Sequence, residues 1–166
     1  MWFLSRSPED TRSQAARLGE ACGADGACVA LVGALGAGKT AFVQGLASGL
    51  GLDARAVASP TFVIASEYPL PGGRRLAHVD LYRVRGEDEL ELAGFSDLEV
   101  RGTILAVEWA DRLPAALPAD RLEVRLERQG TSIRRLEARS MGAGSEALLA
   151  RWRAELLEVG VALECR

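Results

Sequence analysis

A glycine-rich segment, from Gly33 to Thr40, has the residue types and spacing of a loop that binds nucleotide phosphates. Gly33 is followed after four residues by Gly38, Lys39 and Thr40, which is the P-loop pattern. Glycines let the backbone approach phosphates closely with successive N–H groups turned inward, and the dipole of the following helix adds to the attraction. We therefore expect Lys39 to reach the β- and γ-phosphates and the Thr40 hydroxyl to bind Mg²⁺.

The composition of the chain argues against a chance match to this pattern. Lys39 is the only lysine among the 20 basic residues, and we estimate the chance that it falls in this context at about one in a thousand. The residues that we expect to contact the nucleotide here are Gly33, Leu35, Gly36, Ala37, Gly38, Lys39, Thr40 and Ala41.

Carboxylates at the ends of two later strands are candidates for holding the metal of a bound nucleotide. Glu108 closes the apolar run 103–109, and Asp80 lies near the end of the run 75–82. Because P-loop enzymes take such a carboxylate from the end of a neighbouring buried strand, we expect Glu108 to be the Walker-B residue. Asp80 is expected to bind a metal water or to orient the attacking water. The alternative for each residue is a solvent-facing position at a strand end.

Three further residues have both a functional and a structural interpretation. Thr61, in the segment Ser59-Pro60-Thr61-Phe62, could contact the γ-phosphate or its metal, or simply cap its own proline turn. His78, the sole histidine, is more often a structural residue than a base in such a strand. Trp109 is either a core anchor or a wall of the active site.

Alternating strands and helices must position these residues. An apolar strand, 28–32, precedes the loop and a helix from about 39 to 50 follows it. A helix from Pro8 to about Ala21 is capped by Ser7, and a helical segment 86–95 is expected to turn Leu90, Leu92 and Phe95 inward. Segments 122–127 and 132–138 alternate as a half-exposed hairpin, and a last helix starts at Ser145.

These elements predict an α/β fold, namely a three-layer P-loop NTPase-like domain with a mixed central sheet and a C-terminal β-hairpin plus helix. We expect residues 1–166 to form a single domain, which suits the length of the chain.

Charge and cysteine usage restrict the class of protein. The net charge of −3 and the pI of about 5.3 argue against a general nucleic-acid binder, although a local basic patch is not excluded. Arg74-Arg75 is expected at a solvated loop tip, and Arg134-Arg135 on a strand with one member facing water. Cys22, Cys28 and Cys165 lack zinc-ligand spacing and are typical of thiols in a reducing compartment. The N-terminal residues do not have the pattern of a signal peptide, so we expect a cytoplasmic protein.

Other P-loop classes fit less well. Guanine recognition through N-K-x-D is impossible, because the chain contains no asparagine. ABC-type ATPases need a longer domain and a signature segment. A small-molecule kinase stays open, with Arg83, Arg85 and Arg101 as a possible lid. A nucleotide-gated interaction module with little turnover stays open as well.

Four motifs in order resemble the bacterial TsaE (YjeE) family. They are L-V-G-x-L-G-A-G-K-T, S-P-T-F with a tyrosine following, H-V-D-L-Y-R, and V-E-W-A-D, and they extend from about Ala30 to Arg112. The resemblance implies an ATPase that uses ATP and Mg²⁺ and joins the TsaB and TsaD proteins. It implies support for N6-threonylcarbamoylation of adenosine 37 in ANN-decoding tRNAs, with tRNA contacted indirectly or weakly and no DNA or membrane partner.

The resemblance also implies which positions are functional. They are the P-loop lysine and threonine, the switch threonine, two carboxylates and a tryptophan, here Lys39, Thr40, Thr61, Asp80, Glu108 and Trp109. One departure is Ala34, where the family usually has an aspartate. Because backbone N–H groups cradle the phosphate, we expect binding to survive this change.

Overall fold

The computed structural model describes residues 1–58 and 64–164, and its strands form one seven-stranded sheet. The strands are β1 (Trp2–Ser5), β2 (Ala27–Val32), β3 (Ala65–Pro69), β4 (Arg75–Asp80), β5 (Thr103–Glu108), β6 (Leu122–Arg128) and β7 (Arg134–Ser140). The α-helices are α1 (Pro8–Ala21), α2 (Lys39–Gly49), α3 (Glu87–Leu92) and α4 (Ala143–Glu158).

The order of the strands places the phosphate loop in the middle of the sheet. That order is β1-β7-β6-β2-β5-β4-β3, in which β6, β2, β5 and β4 are parallel and the remaining pairings are antiparallel. Since β2 leads into the loop and β5 and β4 follow on one side, their carboxyl ends converge at one edge. This is the arrangement in which open α/β sheets bind ligands.

Two apolar clusters cover the two faces of the sheet. The larger cluster joins the sheet to α1, α2 and α4, with Phe42, Leu46 and Trp152 fully buried in it. The second cluster lies on the opposite face and contains Leu90 of α3 and Phe95 of the following short helix. The prediction of a three-layer α/β fold with a mixed sheet, a C-terminal hairpin and a final helix is therefore confirmed.

Glycines make the contact between α1 and α2 unusually close. A Cβ at Gly45 would lie 2.2 Å from the carbonyl oxygen of Arg12, and one at Gly49 would lie 1.9 Å from that of Ala16. Gly19 of α1 meets α2 in the same way from its own side. Real Cβ atoms do not approach so closely, so these helices can pack at this distance only with glycine. The glycines inside α2 therefore serve packing.

Both long terminal helices begin at side-chain caps. Ser7 Oγ accepts a hydrogen bond of 3.1 Å from the backbone N–H of Asp10, which confirms the predicted start of α1. The last helix begins at Ala143, slightly before the predicted Ser145. Asp120 caps it from outside, because its carboxylate accepts from the backbone N–H groups of Gly144 and Ser145 at 2.7 and 2.9 Å.

Several local predictions were wrong. Leu92 is 91% exposed, because α3 ends at this residue and the helical periodicity that would turn Leu92 inward does not continue. Arg75 lies in β4 and pairs with Glu67 across the β3–β4 hairpin, so it is not at a loop tip.

No helix within residues 1–58 and 64–164 is both long enough and apolar enough to cross a bilayer.

Candidate nucleotide-binding site

The loop between β2 and α2 has a backbone that only glycine can supply at its two ends. Gly33 has a φ of +156°, and a Cβ there would lie 2.5 Å from the carbonyl oxygen of Leu126. Gly38 precedes the first residue of α2 in the left-handed conformation, with a φ of +109°. Between them the Leu35 side chain is 76% exposed and the Ala37 side chain is buried. The geometry suits an anion cradle.

Lys39 is folded back onto this loop. Its side chain is buried, and Nζ donates to the carbonyl oxygens of Gly33 and Ala34 at 2.6 and 3.1 Å. Nζ also lies 3.5 Å from the ring centroid of Trp109. Burial lowers the pKa of Lys39, although the nearby carboxylates, first among them that of Glu108, act in the opposite direction. The ammonium group thus lies within the loop that would hold the phosphates.

The two candidate carboxylates lie side by side at the carboxyl edge of the sheet. Asp80 and Glu108 are register partners on β4 and β5, so their side chains leave the same face at the same level. Glu108 is 3% exposed, and its Oε2 accepts a hydrogen bond of 3.2 Å from Thr40 Oγ1. Asp80 is half-buried, and its Oδ1 accepts from the backbone N–H of Tyr82 at 2.9 Å. Glu108 is therefore not a solvent-facing residue.

His78 makes a contact with Glu108 that the sequence interpretation did not anticipate. The imidazole is fully buried, and Nε2 lies 2.9 Å from Glu108 Oε1. Its Nδ1 has no hydrogen-bond partner within the described part of the chain. His78 and Asp80 share one face of β4, and His78 pairs with Ala106, two residues before Glu108. The even spacing of His78 and Asp80 on β4 could have revealed the contact, because it places His78 diagonal to Glu108, and long side chains can reach diagonal neighbours on adjacent strands.

Trp109 turns the chain back over the lysine. Its φ of 59° makes it the one non-glycine residue with a positive φ in the ranges that the structure covers. Its ring packs against Tyr82 with the centroids 4.9 Å apart and lies over Lys39. Strained backbone of this kind costs of the order of 1–3 kcal/mol and is concentrated at functional sites. Trp109 therefore covers Lys39 and also packs against the second apolar cluster.

The donors present suit a magnesium–nucleotide complex better than a metal held by protein alone. Within the described ranges, no group of three or more His, Cys, Asp and Glu side chains is arranged to hold an ion. Mg²⁺ usually takes one or two carboxylates and completes its octahedron with phosphate oxygens and water. The Thr40 hydroxyl, Glu108 and Asp80 match that requirement. Thr61, the predicted switch residue, lies outside the described residues.

One arginine proposed for a kinase lid lies far from the loop. Arg101 precedes β5 and pairs with Asp25, which precedes β2, at 2.7 Å. Both residues therefore lie at the amino ends of these strands, opposite the phosphate loop.

Comparison with known proteins identifies the family. The model of the threonylcarbamoyl adenosine biosynthesis protein TsaE matches residues 5–136. The tRNA threonylcarbamoyladenosine biosynthesis protein TsaE of Bacillus subtilis is 39% identical over 142 residues, covering 86% of this chain and 87% of that protein. The protein of the same name from Streptomyces coelicolor is 45% identical over 105 residues, covering 62% of this chain and 70% of that protein.

A solved structure agrees with these relatives. The crystal structure of Bacillus subtilis YdiB superposes with a TM-score of 0.71 at 32% identity, covering 93% of this chain and 94% of that one. The chain therefore belongs to the TsaE family of threonylcarbamoyl adenosine biosynthesis proteins.

Proposed function

We propose that this chain is a cytoplasmic, Mg²⁺-dependent P-loop ATPase, a single domain over residues 1–166, that supports the t6A modification of tRNA together with TsaB and TsaD. The observation that carries the enzymatic part is the hydrogen bond from Thr40 Oγ1 to Glu108 Oε2. It joins the P-loop hydroxyl to a buried strand-end carboxylate, which is the pair that holds the metal in P-loop NTPases. The family assignment supports the tRNA role.

Each side chain of the cleft has a separate task in this proposal. Lys39 exchanges the carbonyl oxygens of Gly33 and Ala34 for phosphate oxygens and neutralises their developing charge. Thr40 and Glu108 would hold the metal, which would supply positive charge to stabilise the phosphate oxygens. Asp80, beside Glu108 in the register, orients the attacking water.

Further residues assist these groups from outside the phosphate loop. His78 donates to Glu108 and keeps that carboxylate turned toward Thr40. Trp109 covers Lys39 and excludes water from one side of the ammonium. Thr61 is proposed to sense the γ-phosphate.

Ala34, in place of the family aspartate, leaves the backbone cradle intact in this proposal. The carbonyl oxygen of Ala34 accepts a hydrogen bond from Lys39. Compared with aspartate, alanine lacks only the side-chain carboxylate. We infer that nucleotide binding is kept. We also infer slow turnover by the isolated chain, because P-loop enzymes commonly gain 10³–10⁵ in rate, as an order of magnitude, from an arginine finger that a partner can supply.

Phosphate release from Mg·ATP, by the purified chain alone and then with TsaB and TsaD, tests this function. We expect slow release that the two partners accelerate. Lys39→Ala should weaken ATP binding about 10- to 150-fold, since a charge-assisted hydrogen bond contributes roughly 1.5–3 kcal/mol. Arg153→Ala, an exposed cation on α4, is the control and should bind as the parent does.

Two results would replace the proposal. Transfer of the γ-phosphate to a small acceptor rather than to water would favour a kinase, although the Arg101–Asp25 pair leaves that arginine far from any lid over the loop. Tight ATP binding with no phosphate release, even with both partner proteins present, would favour a nucleotide-gated interaction module.

A further inference from the structure

Two arginines of the β6–β7 hairpin lie against the phosphate loop on the side away from Glu108. Arg128 is the last residue of β6 and Arg134 is the first residue of β7, and the two are direct cross-strand partners. A Cβ at Gly36 would lie 3.9 Å from Arg128 Nη1, and one at Gly38 would lie 3.9 Å from Arg134 Nε. Both guanidinium groups therefore lie within contact distance of the loop.

The register of the sheet shows which face these arginines occupy. Leu126 of β6 and Leu136 of β7 are buried in the cluster that α2 covers. Side chains alternate along a strand, so Arg128, two residues after Leu126, and Arg134, two before Leu136, lie on that same face. The last register pair of β2 with β6 joins Val32 to Arg125, and β6 continues past it to Arg128. The arginines thus lie where the core ends and α2 begins.

The charges of this pair are uncompensated by acidic side chains. Like charges directly opposite each other destabilise an antiparallel pair of strands. The neighbouring Arg135 pairs with Glu127 and Glu137, but within the described ranges neither Arg128 nor Arg134 forms an ion pair. Arg134 is nevertheless held in place, because Nη1 donates to the carbonyl oxygen of Ser132 at 2.6 Å. Two unpaired cations beside an anion cradle indicate an anionic ligand.

The direction in which a nucleotide would lie identifies the part of it that these cations meet. Lys39 Nζ and Thr40 Oγ1 point toward β5, where they contact Trp109 and Glu108. The terminal phosphate and the metal of a bound nucleotide therefore belong on the β5 side of the loop. The phosphates nearer the nucleoside must then extend across the loop toward β6.

We propose that Arg128 and Arg134 bind the α-phosphate of the nucleotide and extend the backbone cradle of the loop with two side chains. The proposal rests on the nucleotide site described above. Arginine suits this task because its planar group donates two parallel hydrogen bonds to a phosphate. The α-phosphate is common to ATP and ADP, so the arginines contribute equally to the binding of both and do not distinguish substrate from product.

The test compares Arg128→Gln and Arg134→Gln with Arg125→Gln, measured in the full chain. Arg125 lies on the same strand but faces the opposite side of the sheet, since it pairs with Val32 of the second apolar cluster. The dissociation constants of ATP and of ADP are measured by calorimetry, with and without Mg²⁺. Melting temperatures are recorded for all variants at low salt.

We expect each of the two loop-facing variants to bind ATP and ADP roughly tenfold more weakly, by the same factor for both nucleotides. Their melting temperatures should rise slightly, because the like-charge repulsion between the two arginines is relieved. Arg125→Gln should bind both nucleotides within about twofold of the parent.

Three outcomes would overturn the proposal. Unchanged affinity of both variants would show that the arginines do not bind phosphate. A loss confined to ATP would assign them to the γ-phosphate instead. An equal loss in Arg125→Gln would show a general effect of net charge. In each of these cases the parent still binds nucleotide, so the nucleotide-binding part of the proposed function stands; a parent that binds no nucleotide would contradict both proposals.

Discussion

Replacing Glu108 by glutamine separates the chemical task of this side chain from its structural one. Glutamine has the same shape, so it can keep one contact to Thr40 and one to His78, which glutamate makes at 3.2 and 2.9 Å. The hydrogen bonds become weaker without the charge, but the cost of burying a carboxylate that is 3% exposed also disappears. The free energy of unfolding should therefore change by no more than about 1 kcal/mol.

The effect on catalysis should be far larger than the effect on stability. Loss of one group that stabilises the charge developing in the transition state costs about 10²–10³ in rate, and Glu108 would have this role through the metal. We expect Glu108→Gln to release phosphate from Mg·ATP at least about a hundredfold more slowly. Without Mg²⁺ it should bind ATP more tightly than the parent, because a negative charge close to the phosphates has been removed.

Glu108→Ala provides the matching comparison. It leaves the buried His78 Nε2 without a partner, which costs about 1–3 kcal/mol, in addition to the cost of the cavity. For a domain of this size the melting temperature should fall by about 2–4 °C per kcal/mol. Glu158→Gln, exposed at the end of α4, is the control for loss of one negative charge. Phosphate release by Glu108→Gln within threefold of the parent rate would refute the reasoning.

Three other outcomes follow from packing, burial and the position of the lysine. Gly49→Ala should lower the melting temperature, because its methyl group would lie 1.9 Å from a carbonyl oxygen of α1 and overpacking costs about 1–3 kcal/mol; an unchanged thermal melt would contradict the close contact. Burial raises the pKa of Cys22 to about 11 and that of Cys28 to about 12, so the stability that each thiol contributes is fully present below about pH 9 and is lost as the pH rises through those values. The double alanine variant should therefore lose less of its unfolding free energy between pH 9 and 12 in denaturant titrations than the parent does, and parallel curves would refute this. Trp109→Leu keeps an apolar cover but removes a cation–π contact that contributes about 0.5–2 kcal/mol, so the pKa of Lys39 should fall further; the single lysine gives one unambiguous side-chain NMR signal for the titration, and a pKa that stays the same or rises would exclude the contact.

Much of the fold could be predicted because its strongest signals are local. The loop from Gly33 to Thr40 combines a buried strand, left-handed glycines and a helix start, and each of these has its own residue requirement. Glu108 could be proposed from the sequence because it ends an apolar strand, which is where P-loop enzymes carry the carboxylate near the metal. Leu92 was placed wrongly because a helix as short as α3 does not define a buried face by its periodicity.

The side-chain contacts that escaped prediction depend on register between strands. His78 meets Glu108 only because β4 and β5 are aligned so that Asp80 faces Glu108. Arg128 and Arg134 face each other because the turn between β6 and β7 sets this register. The sequence predicted that the second strand of the hairpin starts at residue 132, whereas β7 starts at Arg134. A shift of one residue in either pairing would send these side chains to the other face of the sheet. Sequence periodicity predicts which residues share a face of a strand, but it does not predict which residues of the neighbouring strand lie opposite them.

The glycine contacts between α1 and α2 imply that the amino-terminal segment sets the position of the phosphate loop. Helix α2 follows the loop directly and starts at Lys39, so the distance between α1 and α2 determines the positions of Lys39 and Thr40. A larger residue at Gly45 or Gly49 would displace α2, and the cradle would move with it unless α1 changed at the same time. We therefore expect substitutions at these glycines to occur in related chains together with compensating changes in α1. The proposed nucleotide site thus constrains residues that lie outside it.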